Sequence, residues 1–359
     1  MAVTIRDIAD LLGTSVATVS RVLNDKPGVA PARRARVLQV ARDLGYSPNR
    51  SARSLVLQRS QFIGFVVADL GNPRYIDFLR CVESIGRERG YQVLIADSAH
   101  DLEQERQNLE AMVEHRVAGL LVFPVAEYHR ESTPEHFLDL HARRIPFVLL
   151  GNVGHDGLDA VLAREEEVGA LLARHLLDLG HRRLAIVGAS PGSRTVEERC
   201  AGVRKAVHAF GEGAVVVCED AEMGADGWRA VLARSDRPTG MVAINDEIAL
   251  WFLTVLRDGG LSAPDDISVA SVDNLSWSSN VRPALTTADA CMEERAQRGM
   301  EMLFARMAAP DSPPMREMLS YRLIPRGSSG PPPARIRRYA DASRRSDRRA
   351  RAASGVETL

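Results

Sequence analysis

The run Gly188-Ala189-Ser190-Pro191-Gly192 sits between an apolar stretch and an amphipathic one, and it fits the G-x-S-x-G pattern of a hydrolase nucleophile turn. A serine of that kind needs the backbone N–H of the next residue to receive the oxyanion, and Pro191 has no N–H. His208 is the only histidine downstream, and no Asp lies between it and Ser190. The other histidines form no HExxH pair, and the chain holds no G-x-x-x-x-G-K phosphate cradle. Its cysteines, Cys81, Cys200, Cys218 and Cys291, are scattered without a CxxC pair, as expected of reduced thiols and not of disulfides or a zinc site. The expectation is a protein that is not an enzyme and carries neither metal nor cofactor.

Binding chemistry is better represented. Apolar runs end on polar residues again and again: Asp69 with Asn72, Asp97, Pro124, Asn152, Gly188-Ala189-Ser190, Asn245-Asp246 and Asp273-Asn274. The runs themselves, Phe62–Val67, Gln92–Ala96, Gly119–Phe123 and Phe147–Leu150, alternate with helical patterns at 75–89, 103–116 and 134–143. A second series follows, with Leu184–Val187, Ala214–Val217, Gly240–Ile244 and Ile267–Val272 separated by helical patterns near 166–179, 197–209, 226–233 and 246–258. Alternation of this type predicts parallel sheets wrapped by helices, and two series predict two lobes. In open parallel sheets ligands collect at the carboxyl ends of the strands, where these polar residues fall. Each of them alone is also an ordinary cap or turn residue.

The first sixty residues differ in texture. Thr4 opens a helix whose Ile5, Ile8, Ala9 and Leu12 share one face, and Gly13 breaks it. Ser15 caps a second helix through about Asn24, with Val19, Val22 and Leu23 inward and Val16, Ala17, Ser20 and Arg21 outward. A third helix starts near Pro31, buries Val37, Val40 and Leu44, and stops at Gly45. Two short helices around a tight turn, with a third as buttress, make a helix-turn-helix that can set its second helix in the DNA major groove, or an ordinary three-helix bundle. Charge is distributed accordingly. Residues 1–60 carry 10 Lys/Arg against 4 Asp/Glu, residues 61–325 carry 27 against 40, and residues 326–359 carry 9 against 3. Basic ends around an acidic middle suit a polyanionic partner.

Four segments, Thr4-Ile5-Arg6-Asp7-Ile8-Ala9, Thr18-Val19-Ser20-Arg21-Val22-Leu23-Asn24, Gly45-Tyr46-Ser47-Pro48-Asn49 and Ala52-Arg53-Ser54-Leu55, resemble successive signatures of the lactose-repressor (LacI/GalR) family, in its order and spacing. The resemblance implies DNA contacts by Thr4, Thr14, Ser15, Val16, Ala17, Thr18, Ser20, Arg21, Asn24, Tyr46, Asn49, Ala52, Arg53 and Leu55. Val16 and Ala17 would touch bases by apolar contact, Arg21 would read a base edge, and Thr14, Ser15, Ser20 and Asn24 would hold phosphates. Residues 49–58 would be a hinge helix, too short to be stable alone, that pairs with its twin and drives Leu55 into the minor groove.

Residues 61–325 resemble the same family's effector domain, itself similar to periplasmic sugar-binding proteins. Glu198-Arg199-Cys200-Ala201-Gly202 matches the Glu-Arg-x-x-Gly box whose Arg binds ligand, Asn245-Asp246 the Asn-Asp pair, Asp273 the acid after the last large strand, and Pro283-Ala284-Leu285-Thr286-Thr287 a lobe crossover. The implied effector-binding set is Asn72, Arg74, Tyr75, Asp97, Pro124, Asn152, Arg164, Arg199, Asn245, Asp246 and Asp273. Carboxylates, amides and guanidinium groups together suit a polyhydroxylated ligand, so a sugar or sugar derivative is the first expectation. The chain departs from the family pattern at Arg74-Tyr75, Val161–Glu166, Trp251 and Ser271–Asn274. Arg74 and Arg164 would add positive charge and favour an acidic or phosphorylated sugar.

The resulting expectation is an α/β protein with an all-α helix-turn-helix domain at 1–48, a hinge at 49–60 and a two-lobed effector and dimerisation domain at 61–325. The first lobe is expected at about 61–160 and 289–320, the second at about 161–288 and 321–325. From 326 to 359 a Ser/Gly/Pro-rich and then Arg-rich tail is expected to be disordered. Expected partners are double-stranded operator DNA, a small-molecule effector and a second copy of the chain, with no membrane and a cytoplasmic location. Competing readings are a nucleoside- or purine-responsive regulator of the same family and a solute-binding module of a transporter.

Overall fold

A computed structural model describes residues 3–23, 25–46, 60–125, 134–189, 192–211, 213–219 and 224–334. The chain divides into two compact units, Met1–Gln61 and Phe62–Leu359.

The first unit holds three helices, α1 (Ile5–Leu11), α2 (Val16–Leu23) and α3 (Pro31–Asp43). Helix α1 starts in a capping box, with Asp7 N–H donating to Thr4 Oγ1 at 3.3 Å and Thr4 N–H donating to Asp7 Oδ2 at 2.7 Å. Gly13 takes φ +56°, the left-handed region that ends the helix without steric cost. Ser15 Oγ then accepts from Thr18 N–H at 3.1 Å, satisfying a donor that the start of α2 leaves over. Ile8, Ala9, Val19, Val22, Val37, Val40 and Ala41 form the core, against which Leu12, Leu23 and Tyr46 pack.

The second unit holds two six-stranded sheets. The first has the order β11-β5-β4-β3-β1-β2, with β1 Phe62–Val67, β2 Gln92–Asp97, β3 Gly119–Val122, β4 Phe147–Leu149, β5 Ala160–Ala163 and β11 Arg316–Leu319. The second has the order β12-β10-β9-β8-β6-β7, with β6 Arg183–Val187, β7 Val215–Glu219, β8 Gly240–Ala243, β9 Ser268–Asp273, β10 Thr286–Asp289 and β12 Arg322–Ile324. Every pairing is parallel except β10 with β12. The chain passes between the lobes three times, after β5, after β10 and after β11.

The helices that bear on the cleft are α4 (Arg74–Glu88) and α11 (Met292–Ala308) of the first lobe, and α7 (Glu165–Asp178), α8 (Arg194–Phe210) and α10 (Asp246–Asp258) of the second. Met292, Ala296, Met300 and Leu303 of α11 join Tyr75, Phe78 and Phe123 in the first lobe's core. Val168, Leu172 and Leu176 of α7 pack with Cys200 and Val203 of α8 in the second. Gly169 and Gly202 are required there: a Cβ on Gly169 would fall 1.9 Å from the Arg199 carbonyl oxygen, and one on Gly202 1.9 Å from that of Glu166. The close approach of α7 to α8 sets where Arg199 emerges.

Two boundaries expected from the sequence are corrected. The first lobe runs to Ala163 and not to 160, because Val161 and Leu162 continue a strand whose edge partner is β11. Asp289 belongs to the second lobe, pairing with Asp273. A strand's apolar pattern records that it is buried and not which sheet buries it.

The expected onset of disorder at 326 is also corrected. Residues 326–334 are described, and Ser328 is buried, its N–H donating to the Ala284 carbonyl at 2.9 Å and its carbonyl accepting from Val269 N–H at 2.8 Å. Gly330 O accepts from Ser268 Oγ at 3.0 Å and lies 2.9 Å from His181 Nε2. Hydrogen bonds anchor this segment in place of apolar periodicity, so the usual signal of order is missing from its sequence. Residues 335–359 lie outside the described residues.

Candidate nucleic-acid interface and effector cleft

On the first unit, the start of α2 presents Ser15, Val16, Ala17 and Arg21 to solvent, with Thr14, Thr18 and Ser20 half-buried beside them. The inward pair Val19 and Val22 fixes which face remains outside. A helix N-terminus with free N–H groups attracts phosphate oxygens, and a guanidinium can take two acceptors on one base edge. The predicted residues do not all lie on this face. Thr4 Oγ1 is occupied at the start of α1, donating to Asp7 Oδ2 at 2.8 Å. That bond and the Thr4 N–H hold the exposed Asp7 carboxyl below its ordinary range. Tyr46 packs on the three-helix core. Asn24, Asn49, Ala52, Arg53 and Leu55 lie outside the described residues, as does most of the expected hinge.

On the second unit, the predicted strand-end residues separate into two groups. Asn72, Asp97, Asn152 and Asn245 close turns or caps. Asn72 Oδ1 accepts from Arg74 N–H at 3.1 Å, Asp97 Oδ1 from Ala99 N–H at 3.0 Å, Asn152 Oδ1 from Gly154 N–H at 2.9 Å, and Asn245 Oδ1 from Ile248 N–H at 2.8 Å. Asp246 is buried beneath the second lobe. It accepts from the hydroxyls of Ser271, Ser278 (2.5 Å) and Thr287 (2.7 Å) and from Leu275 N–H (3.0 Å). Those bonds tie the loop after β9 to the sheet. Pro124 and Tyr75 are buried in the first lobe, with Tyr75 edge-on to Phe123 at 4.7 Å. Arg164 stands apart from the buried residues: it lies exposed and pairs with Glu167 at 2.8 Å on the same helical turn.

The second group is a cluster of buried charge. Arg74, Arg199 and Asp273 come together with Glu165, Arg295 and the half-buried Tyr321, none of the last three anticipated from the sequence. Arg199 Nε donates to Glu165 Oε2 at 2.7 Å, its Nη1 to the Ile244 carbonyl at 2.5 Å, and its Nη2 to Tyr321 Oη at 3.3 Å. Tyr321 Oη donates to Glu165 Oε1 at 2.6 Å. Burial alone would raise the Glu165 carboxyl, but the Arg199 charge, the bonds from Arg199 and Tyr321, and the Arg295 charge together hold it below its usual range. Burial and the Glu165 charge push the Tyr321 phenol up.

Arg74 Nη2 donates to Tyr75 Oη at 3.1 Å, and its Nη1 lies 3.9 Å from Asp273 Oδ1 across the lobes. Asp273 is 5% exposed, and burial pushes its carboxyl up to about 7 against the lowering pull of Arg74 and Arg199. Its Oδ1 accepts no hydrogen bond among the described residues. Its φ of +118° is a conformation that L-residues rarely hold, and such strain concentrates at binding sites. Arg74, Asp273, Asn274 and Leu275 are among the residues that line a cavity of about 680 Å3, with the carboxylates of Asp77, Asp289 and Glu301.

Signals for the missed residues exist in the sequence. Arg295 falls in the buried stripe Met292, Arg295/Ala296, Gly299, Met302/Leu303, Arg306, where a charged residue at core spacing is itself unusual. Glu165 opens the run Glu165-Glu166-Glu167, which reads as an ordinary acidic first turn.

A three-helix reading head and a two-lobed body with polar residues gathered where its strands end define a class, the helix-turn-helix regulators whose body is built like a solute-binding protein. Residues 4–49 match the family model for bacterial regulatory proteins of the lacI family, and residues 173–329 that for a periplasmic binding protein-like domain. The chain is 31% identical over 342 residues to the HTH-type transcriptional regulator GalR of Salmonella typhimurium (strain LT2), covering 92% of this chain and 96% of that one. It is 30% identical over 333 residues to the ribose operon repressor of Escherichia coli (strain K12), covering 91% and 99%. In fold it is similar to the lac repressor dimer bound to operator and the anti-inducer ONPF, with a TM-score of 0.79 at 24% identity over 92% of this chain and 100% of that one. The chain belongs to the LacI family of bacterial regulatory proteins and is a DNA-binding transcriptional regulator. No helix among the described residues is long and apolar enough to cross a membrane.

Proposed function

We propose that this regulator is a cytoplasmic repressor that binds a pseudo-palindromic operator as a homodimer and is switched by a sugar-like effector seated between the lobes. The observation that carries the reading is the buried set Arg74, Arg199 and Asp273, assembled from both lobes in a unit distinct from the DNA-reading helices. Arg21 discriminates bases, Val16 and Ala17 supply shape, and the segment 49–60 engages the operator centre through Leu55. The name of one relative, the ribose operon repressor, supports a carbohydrate as the effector class. Exposed Leu250 and Trp251 on α10 supply apolar surface for a second copy. Effector in the cleft favours one placement of the lobes over another, and operator affinity follows that equilibrium.

Selecting bound duplexes from a random pool with purified full-length protein, in the presence and absence of a panel of sugars, tests the reading. Enrichment of a two-fold symmetric site whose occupancy changes with one sugar is the expected result. No preference among duplexes under any condition overturns it.

A further inference from the structure

The turn that follows α2 folds back on the helix it has just left. Asp25 takes φ +52° and Gly28 φ +97°, both in the left-handed region that reverses a chain over few residues. Asp25 N–H donates to the Val22 carbonyl at 3.1 Å, and Lys26 N–H to the Arg21 carbonyl at 2.8 Å. Gly28 comes to lie beside the Arg21 side chain: a Cβ built there would stand 3.3 Å from Arg21 Nη1. Val29 then packs on the three-helix core. The turn therefore meets Arg21 twice, at its carbonyl and at its guanidinium.

One side chain grips this turn from α3. Arg34 donates through Nη1 to Asp25 Oδ1 at 2.6 Å and through Nη2 to the Lys26 carbonyl at 2.5 Å. The Asp25 side chain is 99% exposed, so the ion pair by itself adds little to stability. The bond to Lys26 has a longer reach. Lys26 spends its N–H on Arg21 and its carbonyl on Arg34, so a single backbone residue links the two arginines. Asp25 also stands four residues after Arg21, a spacing at which a carboxylate can meet a guanidinium. Its engagement by Arg34 keeps that carboxylate from competing with DNA for Arg21.

We propose that Arg34 is a positioning residue for operator recognition, clamping the turn at 25–28 so that Arg21 is aimed at a base edge before DNA arrives. This rests on the reading of Arg21 as the base-discriminating residue and names what holds it in place. A long exposed side chain samples many rotamers, and fixing one on binding costs up to about tenfold in affinity. A turn already set against the guanidinium narrows that search, as the supporting shell of a binding site does. The planar fork of an arginine suits the clamp, whereas a lysine in its place keeps the charge and loses the geometry.

The test is DNA binding by the full-length protein, titrated on the duplex it selects from a random pool and on duplexes changed at one base step at a time, with thermal melting of the same preparations. Arg21→Ala locates the step that Arg21 reads. Arg34→Met is expected to reduce discrimination at that step about tenfold while moving discrimination at the other steps by less than about threefold. Arg34→Lys, the milder variant if Arg34→Met fails to fold, is expected to lose about threefold at the same step. In the Arg21→Ala background Arg34→Met should cost no further discrimination there, because the two side chains act as one unit. A purely structural role would lower melting and weaken every duplex alike. Uniform weakening, unchanged discrimination at the Arg21 step in the folded Arg34 variants, or a further loss there in the double variant overturns the proposal. If Arg21→Ala leaves every step unchanged, the base-reading assignment fails and the proposal with it; if Arg21→Ala shows its step and the Arg34 variants do not touch it, the assignment stands and the proposal alone falls.

Discussion

The reading head and the cleft handle charge in opposite ways. Among the described residues of the three-helix unit, no charged side chain is buried, and its arginines stand in solvent apart from the half-buried Arg34, which pairs with Asp25 at 2.6 Å. In the two-lobed unit the cluster of Arg74, Glu165, Arg199, Asp273 and Arg295, like several other charged side chains there, is taken almost wholly out of water. A long polyanion is recognised by many exposed cations, each weak and screened by salt. A small molecule offers few atoms, so each contact must be made strong by excluding water. The two units therefore respond to different perturbations, and mutations can show where that division fails.

Glu165→Ala is expected to have the largest effect, because it leaves the Arg199 guanidinium buried without its carboxylate, a loss of about 3–5 kcal/mol. Urea unfolding monitored on the body checks this, and a change below about 1 kcal/mol shows that Arg199 finds another anion or water. Arg21→Ala comes next. It should relax preference at one base step by about 1–3 kcal/mol while sugar binding and unfolding of the body stay unchanged. Equal weakening on all duplexes would reassign Arg21 to a phosphate contact.

An effect that is small at each step of pH, and one that sharpens the contrast, comes from Asp273. Asp273 binds its proton up to about 7 in the folded protein, whereas an unfolded aspartate releases it near 4. Between those values the native state holds more protons than the unfolded state, so stability falls as pH rises. The slope from this group is about 1.4 kcal/mol per pH unit, complete only above pH 7. Asp273→Asn removes that slope, and unfolding curves at several pH values decide it; an unchanged slope in the variant assigns it to another group. The smallest effect belongs to the reading head. Ser15→Ala should cost about 1 kcal/mol through the lost cap on α2, seen as earlier melting of the first unit alone.

How much was legible in the sequence follows the same division. The helices of the reading head announce themselves through local signals, Thr4 and Ser15 as caps, Gly13 as a break and Pro31 as a first-turn residue, and each acts within a few residues of itself. Eight of the parallel strands were also readable, since apolar runs of four to six residues between helical patterns are too short to be helices and too apolar to be surface loops, whereas β5, β10 and β11, which flank the passages between lobes, were not read as strands. The cleft was only half readable. Arg199 and Asp273 stand on recognisable motifs, but Arg164 and Arg295 look alike as isolated arginines, and only packing turns one to solvent and the other inward. Arg306 makes the same point, buried against Asp159 at 2.7 Å from a residue 147 positions away. The segment at 326–334 escaped because its order comes from partners such as Ala284 and Val269 rather than from any pattern of its own.

The triple passage of the chain between the two sheets has a mechanical corollary. One connecting strand would act as a swivel, leaving the halves free to turn about any direction. Three plies side by side stiffen every mode except a bend about the line they share, so whatever energy a ligand supplies is channelled into a single degree of freedom. Glu165 follows the first ply and Tyr321 lies in the third, and both grip Arg199, so the joint is bolted where it would flex.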